Sequence, residues 1–182
     1  MNSMVRRMVA GFAVAGIGVG MLGATASAAE AGGSGLLPCT ANQFTTKLVP
    51  GDAGVGNRSG AIQFTAKQGE RCALSGVPEI GLVGAHNVLV HNEAAGGTPA
   101  VGIANGSSAY VPLHWTEIAA ADEQQTPNAI TYTAAAASNP HGDPIDPKVN
   151  LAWNLGAVDA NADSHTIDVG AVHAGTAPTP ER

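Results

Sequence analysis

Apolar and polar residues alternate with a period of two through much of the chain beyond residue 42. From Gly60 to Lys67, Ile62, Phe64 and Ala66 fall on one face and Ala61, Gln63 and Thr65 on the other. That spacing predicts a strand with one buried face, because successive side chains of an extended chain point to opposite sides. The same reading groups Ala109, Val111, Leu113 and Trp115 over Ser108–Trp115, and also Ile130, Tyr132 and Ala134. It groups Val149, Leu151, Trp153 and Leu155, and it places Ile167, Val169 and Ala171 together in one late strand, His165–His173. Shorter β-like runs are Gln43–Val49 and the stretch where Val88 and Val90 alternate with Asn87, Leu89 and His91. After a polar Gln68-Gly69-Glu70 turn, Cys72 and Leu74 point the same way. Gly76 and Pro78 then predict a sharp bend that leaves Leu74, Val77 and Ile80 free to enter a core.

Turn signals punctuate these runs. Asn105-Gly106, between Thr98–Ala104 and Ser108–Trp115, predicts a tight type I′ hairpin, since both residues tolerate positive φ. Pro112 cannot donate to a ladder, so its strand is expected at a sheet edge or with a bulge. Glu117–Gln125 has helical composition but is too short to sustain a helix alone. Ser138–Pro147, with its three prolines and a glycine, reads as a loop. About eight or nine short strands, with no βαβ alternation, predict an all-β sandwich.

The N-terminus stands outside this pattern. Arg6 and Arg7 precede an uncharged apolar run from Met8 to Ala26 that ends in Ala26-Ser27-Ala28. This is the build of a secretory signal peptide, expected to be cut after Ala28. The competing reading is a retained membrane anchor, but five glycines dilute the run and no stop-transfer signal follows it. Paired arginines also permit twin-arginine export, although general secretion fits the flanking residues better. The expected organisation is a signal peptide at 1–28, a flexible leader at 29–36, one β-sandwich domain at 37–175 and a disordered tail at 176–182.

Export changes the meaning of Cys39 and Cys72, the chain's two cysteines. In an oxidising compartment an even count reads as a disulfide. The alternative is two free thiols in a metal or catalytic pair, which lacks a nearby histidine or a C-x-x-C spacing. The chain carries a net charge of −6 and only 12% charged residues. Removing the signal peptide takes two positive charges with it, so the exported domain is more acidic still. Such a surface repels phosphate backbones, which excludes nucleic acid as a natural partner. No stable membrane insertion is expected once the signal is removed.

No nucleophile elbow, H-E-x-x-H, P-loop or dinucleotide fingerprint is present. Two loops hold oxygen- or nitrogen-rich sets. Asp159, Asn161 and Asp163, with Asp168 close behind, space oxygens as a Ca²⁺ loop does, but Ser164 stands where the turn glycine belongs and Gly170 where a bidentate Glu belongs. An Asx turn before a strand explains them better. His141, Asp143 and Asp146 offer a divalent-ion set, but their prolines already account for a solvated loop. His86, His91, His114, His165 and His173 sit where they could line one sheet face, and Trp115, Trp153, Tyr110 and Tyr132 read as packing residues. No catalytic residue, cofactor or metal ligand is therefore assigned from sequence.

One family shares these features. Cys39-Thr40, the Arg58–Thr65 strand, Cys72-Ala73-Leu74-Ser75-Gly76-Val77-Pro78 with its following apolar strand, and Asn105-Gly106-Ser107-Ser108-Ala109-Tyr110 leading to Trp115 resemble the actinobacterial secreted domain of unknown function 4232 family. The resemblance covers roughly Leu37 to Ile167. It departs before the second cysteine, where Lys67-Gln68-Gly69-Glu70 replaces the family's polar turn. It implies an immunoglobulin-like antiparallel β-sandwich, secreted or attached to the envelope, with Cys39 bonded to Cys72. It implies no activity. The expected function is that of a secreted, non-catalytic domain that binds an unidentified extracellular or cell-wall partner. A secreted hydrolase or metal-dependent enzyme using the His141 loop, and an extracellular protease inhibitor presenting Ser138–Pro147, are the alternatives.

Overall fold

A computed structural model of the protein describes residues 35–179. The expected signal peptide, residues 29–34 of the leader and residues 180–182 lie outside them. The described chain is all-β: β1 (Phe44–Ala53), β2 (Asn57–Ala66), β3 (Arg71–Leu74), β4 (Glu79–Val83), β5 (Leu89–Asn92), β6 (Val101–Ala104), β7 (Ser108–Thr116), β8 (Gln124–Gln125), β9 (Ala129–Thr133), β10 (Lys148–Ala152), β11 (Val158–Asp159), β12 (Thr166–Val169) and β13 (His173–Ala174). The stretch of helical composition forms only a 3₁₀ turn, Ala121–Glu123, before β8. The larger sheet runs β1-β2-β7-β12-β5, with β13 also beside β7, and a second sheet runs β10-β9-β4. Ribbons β3–β6 and β8–β11 complete the fold, and among these pairings only β12–β5 is parallel.

The predicted alternations supply the core. Ile62, Phe64 and Ala66 from β2 and Ala109, Val111, Leu113 and Trp115 from β7 are all buried. They meet Ile130 and Tyr132 of β9. The Phe64 ring lies 4.7 Å from Tyr132 and 5.5 Å from Phe44, and Trp115 packs on Trp153 at 5.4 Å. Tyr132 carries an unusual cost. Its side chain is 1% exposed, its hydroxyl has no hydrogen-bond partner among the described residues, and desolvation pushes its pKa up to about 12. A buried hydroxyl left unpaired costs about 1–3 kcal/mol. Tyr132→Phe should therefore raise the unfolding free energy by about 1 kcal/mol in urea titrations; a lower value would reveal a partner for the hydroxyl.

The expected hairpin at Asn105-Gly106 is corrected. The turn itself forms: Asn105 has φ 46° and Gly106 φ 82°, and the Ser107 N–H donates to Ala104 O at 2.9 Å. Yet β6 pairs with β3, and β7 pairs with β2. The chain leaving β2 also bends, at Lys67–Glu70, where the Glu70 N–H donates to Lys67 O. Two paired strands thus turn a corner together, from the large sheet into the β3–β6 ribbon. The bonds Gly106 N–H to Ala66 O and Asn105 N–H to Glu70 O tie the two turns. Two adjacent residues set the turn type; burial far along the chain sets which strand pairs with which.

Pro112 does not mark an edge or a bulge either. β7 is central, in unbroken register with β2. The Pro112 carbonyl faces away from β2 and accepts the Gly170 N–H at 3.0 Å. A residue's N–H and C=O point to the same side of a strand, so the missing donor faces the gap between β12 and β13, where no ladder bond is lost. The late strand predicted as one piece breaks at Gly170 for the same reason. A Cβ there would lie 2.7 Å from Pro112 Cγ. After the break Val172, rather than Ala171, is the buried residue.

Beyond β13 the chain crosses the outer face of the large sheet. Ala177 is buried with Val49 and Ala61, and its N–H donates to Gln63 Oε1 at 3.0 Å. This contact explains why β2, read as half-buried, hides Ala61 and Gln63 as well as its core face.

Candidate functional site

Residues 37–39 are not part of any named strand, yet they join two. The Cys39 N–H donates to Ala73 O, and the Ala73 N–H donates to Leu37 O, each at 2.9 Å. On the other side the Ala136 N–H donates to Cys39 O at 3.2 Å. The segment therefore lies between β3 and the chain that follows β9, closing a seam between the ribbon and the second sheet. Cys39 is bonded to Cys72 with their Cα atoms 4.8 Å apart, and both are fully buried. The bridge fastens the segment to β3, as the even cysteine count predicts.

A groove of ≈ 540 Å³ opens beside this bridge. One wall is Gly35–Pro38 with Thr40 and Gln43, a second is Gly69–Arg71, and a third is Ala136 with Ser138–Pro140. Thr40 is buried: its N–H donates to Gln43 Oε1 at 3.0 Å and its hydroxyl to Asn42 Oδ1 at 2.6 Å. Gln43 Nε2 in turn donates to Glu70 Oε2 at 2.9 Å, which links the first wall to the second. Arg71 is exposed on that second wall. Among the described residues the ion pairs are Arg58–Glu117 and His91–Asp168, so Arg71 faces the groove without a carboxylate partner. Leu36, Leu37, Pro38, Ala136 and Pro140 supply apolar surface.

A second, smaller depression of ≈ 310 Å³ lies on the large sheet and includes Arg58, His114, Asp163, His165 and Asp168. Three histidines do share the outer face of this sheet. His114 and His91 flank Asp168 on β7 and β5, with His91 Nδ1 2.9 Å from Asp168 Oδ1, and His173 stacks on Tyr110 at 5.4 Å. His86 and His165 lie outside the strands.

The two loops singled out in the sequence use their side chains on their own backbone. Asn161 Oδ1 accepts the N–H groups of Asp163 and Ser164. Asn139 Oδ1 accepts those of His141 and Asp143, and Asp146 Oδ1 accepts that of Lys148. Among the described residues no three His, Cys, Asp or Glu side chains are grouped so as to hold a metal ion. Asp159 is buried, with Ile118 N–H, Ala119 N–H, Gln124 Nε2 and the Ser164 hydroxyl all donating to its carboxylate. Burial alone would raise its pKa, but the backbone donors of Ala119 and Ile118 and the hydroxyls of Thr116 and Ser164 hold it below the usual carboxylate range. A carboxylate so lowered stabilises the fold above its unfolded pKa of about 3.9, and that contribution is lost as pH falls through the folded value. Asp159→Asn should cost about 2 kcal/mol at neutral pH. The gap between variant and wild type in urea titrations should close below about pH 4.

None of the groove residues Thr40, Gln43, Glu70, Arg71 and Asn139 was assigned as a site residue from sequence. The cysteines beside Thr40 and Arg71, and the Ser138–Pro147 loop that contains Asn139, pointed near them. Among the described residues no helix is long and apolar enough to cross a membrane. No curated protein and no solved structure matched the chain. The family described as Domain of unknown function (DUF4232) matches residues 39–173, which spans both cysteines, the corner and the late strands. By that match, and by the Cys39–Cys72 bond within it, the chain belongs to the DUF4232 family.

Proposed function

We propose that the protein is an exported, non-catalytic binding domain of the extracellular space or cell envelope, and that its partner docks in the groove beside the disulfide. In this reading residues 1–28 direct export and are removed, and the mature chain begins at Ala29. The observation that carries the binding role is the groove. Three separate chain segments form it, a covalent bond backs it, and it holds the Arg71 guanidinium, which forms no ion pair among the described residues, while the Glu70 carboxylate on the same wall is bonded to Gln43. Its ≈ 540 Å³ lies within the usual size of a ligand site, about 300–1,000 Å³, and its mix of apolar walls with few polar groups is of the usual kind. With the Glu70 carboxylate turned to Gln43, Arg71 is the cationic side chain among the described groove residues and favours an anionic group on the partner.

The test is a binding comparison on isolated cell wall and on spent culture medium with the mature domain, Arg71→Glu and Leu37→Asp, each shown to unfold like the wild type. The reading expects retention by the wild type and at least about a tenfold loss in both variants, the range for truncating a central contact. Equal retention of all three proteins would refute the groove as the binding surface.

A further inference from the structure

Asn105-Gly106 is the only Asn-Gly pair in the chain. It is chemically the most exposed asparagine of its kind, because glycine has no side chain to shield its own backbone nitrogen. Once that nitrogen loses its proton it can attack Asn105 Cγ. The new C–N bond forms as the Cγ–Nδ2 bond breaks, and the proton leaves with the amide nitrogen as ammonia. Water then opens the cyclic imide at either carbonyl, giving aspartate or isoaspartate. Nothing beyond water is required.

In the fold both reacting groups are occupied. The Gly106 N–H donates to Ala66 O at 3.0 Å, and Asn105 Oδ1 accepts the Gly69 N–H at 3.1 Å. Both residues are solvent-exposed, so water reaches the pair; the bond to Ala66 withholds the Gly106 nitrogen, and the bond from Gly69 fixes where the Asn105 side chain lies. We infer that Asn105 is a latent deamidation site, kept silent by the bonded corner between β2–β3 and β6–β7 and released when that corner opens. β3 is the strand bonded to Cys39, so the disulfide guards the site. Isoaspartate would insert an extra backbone atom into a turn whose geometry depends on two residues. The Asn105 tie to Gly69 would go with it, and Gly69–Arg71 is one wall of the groove. That last consequence rests on the proposed binding role; the chemistry does not.

The test follows isoaspartate at residue 105 by peptide mapping of the oxidised protein at mildly alkaline pH. A synthetic peptide spanning Val101–Tyr110 supplies the unprotected rate. Hydrogen exchange of the Gly106 amide is measured alongside, because that same N–H must be freed in both processes. The slowing of deamidation relative to the peptide should match the Gly106 protection factor within about threefold, and sub-denaturing urea should raise both rates together. Reducing the disulfide should accelerate deamidation by at least about tenfold. A peptide-like rate in the oxidised protein, deamidation outrunning Gly106 exchange, or indifference to reduction would each overturn the inference. Binding to the groove need not be measured, so failure here and failure of the binding reading remain separate.

Discussion

Replacing Cys39 and Cys72 by alanine lowers the unfolding free energy by about 3.7 kcal/mol, the chain-entropy value for residues 33 apart in sequence. The loss is not spread evenly. Among the described residues, the backbone ties holding residues 37–39 in the seam are the bonds with Ala73 and Ala136. Without the covalent link, this short segment has little apolar surface to hold it: Leu37 is 61% exposed. In the double variant the amides of residues 39, 73 and 136 therefore exchange by local opening well before the amides of β2 and β7, whereas in the wild type the seam is protected with β3. Urea unfolding measures the first effect and residue-resolved hydrogen exchange the second. A loss below about 1 kcal/mol, with the seam still protected, would mean that the hydrogen bonds alone close it.

Phe64→Ala costs about 4 kcal/mol, the largest single-residue effect expected. Phe64 is fully buried and its neighbours belong to different elements: Phe44 on the edge strand of its own sheet, and Tyr132 on the opposing sheet. Each neighbour is fixed by its own ladder, with Phe44 opposite Ala66 and Tyr132 between Val149 and Ile80. Neither can move into the space a phenyl ring leaves, so the cavity persists and adds to the lost transfer energy. Phe64→Leu, which fills most of that space, should cost less than half as much. The exposed Thr45→Ala on β1 should stay within about 0.5 kcal/mol of wild type. Trp115 and Trp153 meet edge to face in the core, and their fluorescence reports all three unfolding curves.

These outcomes bear on what the sequence could reveal. Period-two alternation identified β2, β7 and β9 and their core faces, because a side chain's direction along a strand is a local property. The Asn105-Gly106 turn was legible for the same reason. Its strand partners were not: pairing of β6 with β3 depends on a second bend at Lys67–Glu70, and no residue near 105 encodes it. Pro112 misled because a proline excludes a donor only on the side its nitrogen faces, and that side depends on where β12 stops. The disulfide was legible from the even cysteine count and the export expected of the N-terminus, but the seam it fastens was not. The groove was least visible of all. Its walls come from residues 35–43, 69–71 and 136–140, which share neither a motif nor a spacing and meet only because residues 37–39 lie between β3 and the end of β9.

The most direct test of the account is the intact mass of the protein harvested from culture medium, unfolded and treated with a thiol alkylator without reductant. The account predicts a chain beginning near Ala29, two hydrogens lighter than its reduced form and carrying no alkyl group, with both cysteines labelled only after reduction. A harvested protein that takes up label on Cys39 and Cys72 before reduction would contradict it.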